Sequence, residues 1–582
     1  MLSTTFSAGS NGIEGFLVTV EVSVSGGIPA FDIVGLPDAS IREAKSRLRI
    51  ASQMLSLPFP KGAIAVNLAP AGRRKEGASY DLAILMGILD AAGKISHSRF
   101  AFDRCCFLGE VSYSGHLREV KGTINMCLAA RKAGMQAVFV PTVNAPEASA
   151  VQGLTVFAID HISELTAFFN GETDLSPTVF DMGTFEKEFN RFHIDFADVV
   201  GQSYAKRCLE VAAAGGHSVL MIGPPGSGKS MLAKRMPSIL PPLTFAESLE
   251  STRLHSAAGV LPEGTAMLTQ RPFRAPHHTA SAVALIGGGK VPAPGEVSLA
   301  HNGVLFLDEL LEFPRYSLDA LRQPMEDRQV VVSRAAGRSV FPAAFMMIGA
   351  ANPCRCGYYA SGQRECVCKQ ADLDEYRARL SGPVADRIDM QVELTALSFD
   401  QLTAPRNGES SEVIRQRVIK ARELARARVE DLPFLKEKRI HCNADLTSSD
   451  LQRICHLEDD AQELLRTAFE RLRLSARAYD HILRLSRTIA DLDESIAIRT
   501  RHVAEAIHLR SLDRDQAPSP MLLHTPIPTA PGRPLQSAES RSLTAEEAYE
   551  RRMEAERAAK AAGKRRAPVM LDAEKPSEED EA

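Results

Sequence analysis

The chain has 582 residues, 45% of them hydrophobic and 24% charged, with 68 Lys and Arg against 72 Asp and Glu for a formal net charge of -4. At roughly 150 residues per domain this length holds three or four domains with sizeable cores, and the balanced charge excludes a globally basic nucleic-acid binder, so any DNA contact has to be a local patch. No run of about eighteen apolar residues occurs and the first residues lack a charged segment followed by an apolar one, so no membrane contact is expected and the expected compartment is the cytoplasm.

In chain order, residues 1–170 alternate strand-like runs (FLVTVEVSV, AIAVNLAP, RCCFLGEVSY, AVFVP) with helical stretches (DASIREAKSRLRIASQML, INMCLAARKAGM), which predicts one α/β domain. A polar and aromatic link over 171–194 leads to a second domain over 195–398, opened by a strand, a glycine-rich loop and a helix in HSVLMIGPPGSGKSMLAKRM. Residues 399–514 are almost purely helical, with apolar stripes at i, i+3, i+4 and i+7 in SSEVIRQRVIKARELARARV, DAQELLRTAFERLRLS and ARAYDHILRLSRTIADL, and read as a helical lid. The remainder, 515–582, cannot bury enough surface to offset its ordering entropy and is expected to be a disordered charged tail with one exposed helix near 544–561.

GPPGSGKS, from Gly223 through Pro224, Pro225, Gly226, Ser227, Gly228 and Lys229 to Ser230, satisfies G-x-x-x-x-G-K-[ST] between an apolar strand and a helix. Its glycines permit the turn that aims backbone N–H groups at phosphate oxygens, Lys229 can reach the β and γ phosphates, and the Ser230 hydroxyl can ligate Mg²⁺. Downstream, NGVLFLDEL ends a buried-strand pattern in Asp308 and Glu309, the first suited to the Mg²⁺ shell and the second to activating the attacking water. FMMIGAANP ends another strand in Asn352, a residue able to position that water. Arg387 in RLSGPVADRIDM is either a solvated loop charge or a guanidinium donated to a neighbouring subunit's γ-phosphate, and spacing does not separate the two.

Together VVGQ, RPFRAPHHTASAVALIGGG, LFLDELLEF, ANPCRCGY, RLSGPVADRID and LSARAYDHILRLSRTIADL closely resemble the magnesium-chelatase-like AAA+ proteins, and within them the ComM/YifB group, over residues 1–512. The resemblance implies an AAA+ ATPase core with a parallel sheet, ATP and Mg²⁺ as cofactors, Asn352 as sensor 1, Arg387 as an arginine finger, Arg477 as the sensor-2 arginine brought by the lid, and Val200 and Gln202 near the adenine. It also implies a homo-oligomeric ring, hexameric, with sites between subunits, acting as a DNA motor or helicase that promotes branch migration of recombination intermediates in natural transformation. An ATP-driven protein remodeller, as in the magnesium-chelatase motor subunits, is the alternative. VVVSRAAGRSVFPAAF reads independently as a hairpin; in related ring motors such a hairpin enters the pore, and its Arg334 and Arg338 are either DNA contacts or solvated charges. The glycines before Lys290 are a second pore-loop candidate. His277 and His278 are expected to point different ways and to serve structure or the nucleotide's surroundings rather than a metal.

Six of the ten cysteines are scattered or lie in apolar runs; the other four, Cys354, Cys356, Cys366 and Cys368, form two C-x-C pairs within fifteen positions. Four soft thiolates suit tetrahedral structural Zn²⁺ in a segment with little core of its own, with disulfides or free thiols as the competing readings. KEGASYDLAI and LGEVSYSGHLREVKG resemble the proteolytic domain of Lon proteases. Ser79 falls at the nucleophile's position, but Arg118 stands where the lysine base belongs and cannot give up its proton at physiological pH, while Lys121 is displaced. The expectation is a Lon-protease-like α/β fold without proteolysis, with a Lon-like ATP-dependent protease kept as an alternative.

Overall fold

The computed structural model describes residues 1–510 except 56, 98–101, 184, 186–191, 193, 290, 335–336, 363, 381–386, 397–398, 400–407 and 437–439. The tail over 515–582 with its expected helix, Lys290, Ala335 and Ala336 lie outside the described residues.

The amino-terminal part is built on an eight-stranded mixed sheet in the order Pro177–Thr178, Thr155–Ile159, Ala137–Pro141, Cys105–Phe107, Leu2–Asn11, Glu14–Ser25, Ala63–Ala69 and Ala30–Val34. Leu2–Asn11 and Glu14–Ser25 form an antiparallel hairpin paired from Leu2↔Ser23 to Asn11↔Glu14, turned at Gly12, whose φ of 61° is one glycine adopts freely. The helix Asp81–Ala91 lies beneath this hairpin and is buried along nearly its whole length, so Ser3 and Thr5 can point inward: Ser3 donates to Asp90 at 2.5 Å and Thr5 to the Ala83 carbonyl at 2.9 Å. The stretch 171–194 is more than a link, because Pro177–Thr178 adds an antiparallel edge strand and Phe180 and Phe185 each meet Phe245 edge-on.

The second sheet has five parallel strands in the order Phe273–Arg274, Val304–Leu307, Met346–Ala351, Val219–Ile222 and Met390–Glu393. All four residues of Val219–Ile222 and of Val304–Leu307 and all six of Met346–Ala351 are buried, the near-continuous apolar pattern expected of strands covered on both faces. Ile222 is in register with Ala351 and with Glu393. The residues that follow, Gly223, Asp308 and Asn352, therefore emerge along one carboxyl edge, where open parallel sheets bind ligands.

The helices Ser411–Asp431, Ala476–Leu492 and Thr500–His508 share a single apolar core with Ser203–Gly215, in which Val418, Ile482, Leu485 and Ile489 meet Leu209, Val211 and Ala212. The junction also holds a buried polar knot. Asp389 accepts from the Ser218 N–H at 2.9 Å and from His481 at 2.6 Å, with His217 at 3.7 Å; burial alone would raise its carboxyl, but hydrogen bonds from His217 and His481 outweigh that and hold it well below the usual range.

The amino-terminal part grips the ATPase core through its helices and through the turn of its first hairpin. Arg253, on the helix Phe245–Ala258, donates to Asn125 at 2.8 Å and to the Ile13 carbonyl at 2.8 Å, and Ser256 donates to Glu147 at 2.7 Å. Higher up, Ser339 donates to Asn11 at 3.2 Å, and Gly12 lies so close to Phe341 that a Cβ there would stand 2.9 Å from the ring.

Candidate nucleotide site and the groups around it

Gly226 and Gly228 adopt φ of 79° and 91°, with nothing within 4 Å of a Cβ added at either. These glycines are needed for backbone conformation rather than space. Lys229 opens the helix Lys229–Ile239 and donates from Nζ to the carbonyls of Gly223 and Pro224 at 2.6 and 3.0 Å and to Oδ1 of Asn352 at 3.2 Å. Burial lowers its pKa, and Asp308 pulls the other way. An ammonium held by neutral acceptors is ready to exchange them for phosphate oxygens. The Ser230 hydroxyl donates to Oδ2 of Asp308 at 2.7 Å. Two neighbouring ligands of octahedral Mg²⁺ at about 2.1 Å stand about 3.0 Å apart, so this pair of hard oxygens fits that ion.

Glu309 has a left-handed backbone with φ of 51° and ψ of 47°, and its N–H donates to Oδ1 of Asp308 at 3.0 Å. Gln202, also left-handed at φ of 52°, donates from Nε2 to the carbonyls of Ser227 at 3.2 Å and Thr395 at 2.8 Å. That holds the loop over 200–202, with half-buried Val200, against the phosphate loop.

A second group gathers the two remaining arginines. Arg387 reaches Oε1 of Glu326 at 2.5 Å and Arg477 reaches the same oxygen at 3.4 Å. Glu326 lies on the short helix Arg322–Asp327; nothing in its sequence context marks it, and the sequence reading passed over it. The reading also passed over the contact between Nδ1 of His278 and Oε2 of Glu309, at 3.0 Å. The expectation that His277 and His278 diverge is corrected: they occupy an irregular turn, not a helix or strand, and their ring centroids are 4.1 Å apart.

The strands Gln329–Arg334 and Gly337–Pro342 pair antiparallel, with Ser333 opposite Arg338, and both Arg334 and Arg338 are exposed. Gly287–Gly288 pairs with Ala293–Pro294 to form a smaller hairpin. The two hairpins touch, since a Cβ on Gly288 would lie 3.0 Å from the Arg334 guanidinium.

The sulfurs of Cys354, Cys356, Cys366 and Cys368 all lie within 4.8 Å of one another. Cys354 is 3.3 Å from Cys356 and 3.8 Å from Cys366, and Cys356 is 3.5 Å from Cys366. All ten cysteines are free thiols, so disulfides are not what draws the four together. A tetrahedron with Zn–S of about 2.3 Å has S···S edges of about 3.8 Å, close to this cage. Within the cage the Tyr358 backbone N–H pulls the Cys356 thiol down, while, against backbone hydrogen bonds that lower them, desolvation and the neighbouring thiols push Cys366 and Cys368 up. The turn between the first pair and Tyr358 rests on the phosphate loop: Gly357, at φ of 85°, would strike Pro225 Cδ at 2.8 Å if it carried a Cβ. In the amino-terminal part, Ser79, in a turn, is 4% exposed, and Arg118 is paired with Glu110 at 3.2 Å.

A five-stranded parallel sheet in this order, a phosphate loop after its inner strand, an acidic pair at the end of the next strand but one, and a helical carboxy-terminal part define a P-loop ATPase of AAA+ type. The family models described as "Subunit ChlI of Mg-chelatase", "Magnesium chelatase, subunit ChlI" and "Magnesium chelatase, subunit ChlI C-terminal" match residues 20–144, 195–402 and 408–510. The chain is 40% identical over 520 residues to competence protein ComM of Haemophilus influenzae, covering 88% of this chain and 98% of that protein. It is 38% identical over 519 residues to YifB of Escherichia coli, with 88% and 98% covered. A shorter match, 32% over 166 residues, covers 28% of this chain and 23% of the magnesium-chelatase 67 kDa subunit of Chlorobaculum parvum. The chain belongs to the ComM/YifB group of magnesium-chelatase-like AAA+ proteins. No helix among the described residues is long and apolar enough to cross a membrane.

Proposed function

We propose that this chain is a cytoplasmic, ring-forming motor that couples ATP hydrolysis to moving DNA and promotes branch migration of recombination intermediates during natural transformation. The observation that carries the hydrolytic part is the convergence of Lys229, Ser230, Asp308 and Asn352 on one edge of the parallel sheet, with Ser230 and Asp308 2.7 Å apart. Lys229 and the N–H groups of Gly226, Ser227 and Gly228 hold the phosphates; Ser230 and Asp308 would hold Mg²⁺, which when bound would supply charge neutralisation at the transferring phosphoryl group. Glu309 orients and deprotonates the attacking water, Asn352 holds that water against the γ-phosphate, and Val200 and Gln202 border the base. Arg387, gathered with Arg477 at Glu326 in the single chain, turns to the γ-phosphate of a neighbouring subunit in a hexamer, where the phosphate outcompetes one carboxylate, and Arg477 is the arginine that the helical lid brings to the nucleotide.

The DNA part is supported by kinship to a protein named for competence and by the exposed Arg334 and Arg338 on one hairpin that adjoins the glycine hairpin, suited to a phosphate backbone. The four cysteines hold a structural Zn²⁺ that braces the phosphate loop through Gly357 and Pro225. Burial of the Ser79 hydroxyl and the pairing of Arg118 with Glu110 support a Lon-like domain over 1–170 that binds or assembles rather than cleaves; the link over 171–194, the ATPase core over 195–398 and the lid over 399–514 complete the layout. The likeness to a magnesium-chelatase subunit supports a second reading, a remodeller of a protein partner. The test is ATP-dependent branch migration on a synthetic junction with heterologous arms, by wild type and Glu309→Gln. Product from wild type alone is expected; a formed ring with robust ATPase activity and no product refutes the DNA motor in favour of the remodeller.

A further inference from the structure

Asp389 ties together three parts of the molecule that the hydrolytic chemistry above treats separately. Its Oδ2 accepts at 2.9 Å from the N–H of Ser218, the residue before the strand that feeds the phosphate loop, and its Oδ1 accepts from Nδ1 of His481 at 2.6 Å. His481 lies on the helix Ala476–Leu492, four residues after Arg477, and Asp389 itself follows Arg387 by two residues. The imidazole is 7% and the carboxylate 10% exposed, so this bond is made away from water, where a hydrogen bond to a charged group is strong.

The two sides of the bond are unequally held. The helix is fixed along its length, because Ile482, Leu483, Leu485 and Ile489 are buried in the core that the lid shares with the parallel sheet. The segment leading to Arg387 is short. Ile388 turns into the apolar cluster of Leu310 and Tyr376, the carbonyls of Ile388 and Asp389 accept from Nη1 of Arg510 at 3.0 and 2.9 Å, and the strand proper starts at Met390. Arg387 and Arg477 both reach Oε1 of Glu326, so a shared carboxylate relates the two arginines at their tips and the His481–Asp389 bond relates them at their roots. When phosphate takes the place of Glu326, the bond at the roots still joins the Arg387 segment to the lid helix. Without the imidazole the buried carboxylate is one donor short and moves toward another, taking the short segment with it while the helix stays in place.

We propose that His481 is a positioning residue for Arg387: by fastening Asp389 to the lid helix, it sets where the guanidinium stands when it meets a neighbouring subunit's phosphate. This rests on Arg387 serving the neighbouring subunit. The nucleotide pocket of the same chain does not depend on the bond, because Lys229 and Asn352, and Ser230 and Asp308, hold one another without it. Loss of His481 is therefore felt in the adjoining subunit's pocket rather than in its own.

The experiment measures ATP turnover in mixtures of two inactive chains, Arg387→Ala, which keeps the pocket and lacks the arginine, and Lys229→Ala, which keeps the arginine and lacks the pocket. The pair is expected to recover activity. Adding His481→Ala to the Lys229→Ala chain should lower that recovery about ten-fold, the effect of one hydrogen bond to a charged group. Adding it to the Arg387→Ala chain should lower it less than about two-fold. The same substitution stands in both mixtures, so a general loss of folding or assembly lowers both alike, and that result overturns the proposal in favour of a merely structural role. His481→Asn in the Lys229→Ala chain keeps an N–H donor near the position of Nδ1 and should restore at least half of the recovery; an asparagine no better than alanine overturns the bond as the cause. Recovery untouched by His481→Ala in the Lys229→Ala chain overturns the positioning role and leaves Arg387 as the residue supplied in trans. No recovery from the original pair overturns that reading of Arg387, and the proposal with it.

Discussion

Replacing Cys354 with serine should empty the four-thiol cage and slow ATP hydrolysis without preventing ATP binding. The known sulfur separations, 3.3, 3.5 and 3.8 Å, need only about 0.5 Å of adjustment to reach the edges of a zinc tetrahedron. Structural zinc sites contribute about 10–16 kcal/mol of apparent binding free energy at neutral pH, and a serine oxygen is a poor substitute for a soft thiolate. The effect should be local and strong. Cys354 is buried and follows Asn352 by two residues, Asn352 accepts from Lys229, and Gly357 rests on Pro225. Losing the ion loosens both contacts to the phosphate loop, so kcat should fall at least about ten-fold while KM changes less than about three-fold. Metal content by mass spectrometry on protein purified under reducing conditions, together with steady-state ATPase kinetics, decides it. Wild type without zinc, or Cys354→Ser with wild-type kcat, would falsify the reasoning.

Lys229→Ala should weaken ATP binding about a hundred-fold or more, whereas Glu309→Gln should bind ATP normally and accumulate as an ATP-bound oligomer; a fluorescent nucleotide titration and size-exclusion chromatography separate them. Arg387→Ala should bind ATP yet not hydrolyse it, and mixing it with Lys229→Ala should recover part of the activity; no recovery would place its action within one subunit. Burial pushes Asp81 up to about 6 against the opposing pull of Arg47. A carboxyl raised on folding stabilises below its unfolded pKa of about 4 and loses that contribution as pH rises through the folded value. Wild type should therefore lose up to about 3 kcal/mol relative to Asp81→Asn between pH 4 and 6, read by denaturant unfolding; parallel curves would remove Asp81 as the titrating group.

Elements with a strong period or a fixed chemical demand were legible in the sequence. The phosphate loop needs left-handed glycines and the acidic pair needs a buried strand before it, and the three long carboxy-terminal helices carry apolar stripes over many turns, so Ser411–Asp431, Asp459–Leu472 and Ala476–Leu492 lie where the pattern puts them. The strand Leu2–Asn11 escaped notice although it lies inside the larger sheet, because Ser3, Thr5 and Ser7 occupy its inward positions and hydroxyls on a buried face look like loop residues until the helix beneath supplies partners for Ser3 and Thr5. The uniformly apolar run of Asp81–Ala91 has no period to read, since it is buried on every side. Glu326 and His278 could not be found by pattern, because their importance lies in contacts made across 61 residues, from 326 to 387, and across 31 residues, from 278 to 309.

The grip of the amino-terminal part on the ATPase core bears on how force is transmitted. Asn11 and Gly12 press on the arginine hairpin while Asn125 and Glu147 hold the helix Phe245–Ala258, so in the proposed motor the hairpin is braced by a mass larger than itself. A hairpin anchored this way cannot flex alone at each catalytic turn. In the proposed ring, the step is then taken at the seams between neighbouring protomers, each moving as a stiff block, and stride length becomes a property of the ring's circumference rather than of the loop's own reach.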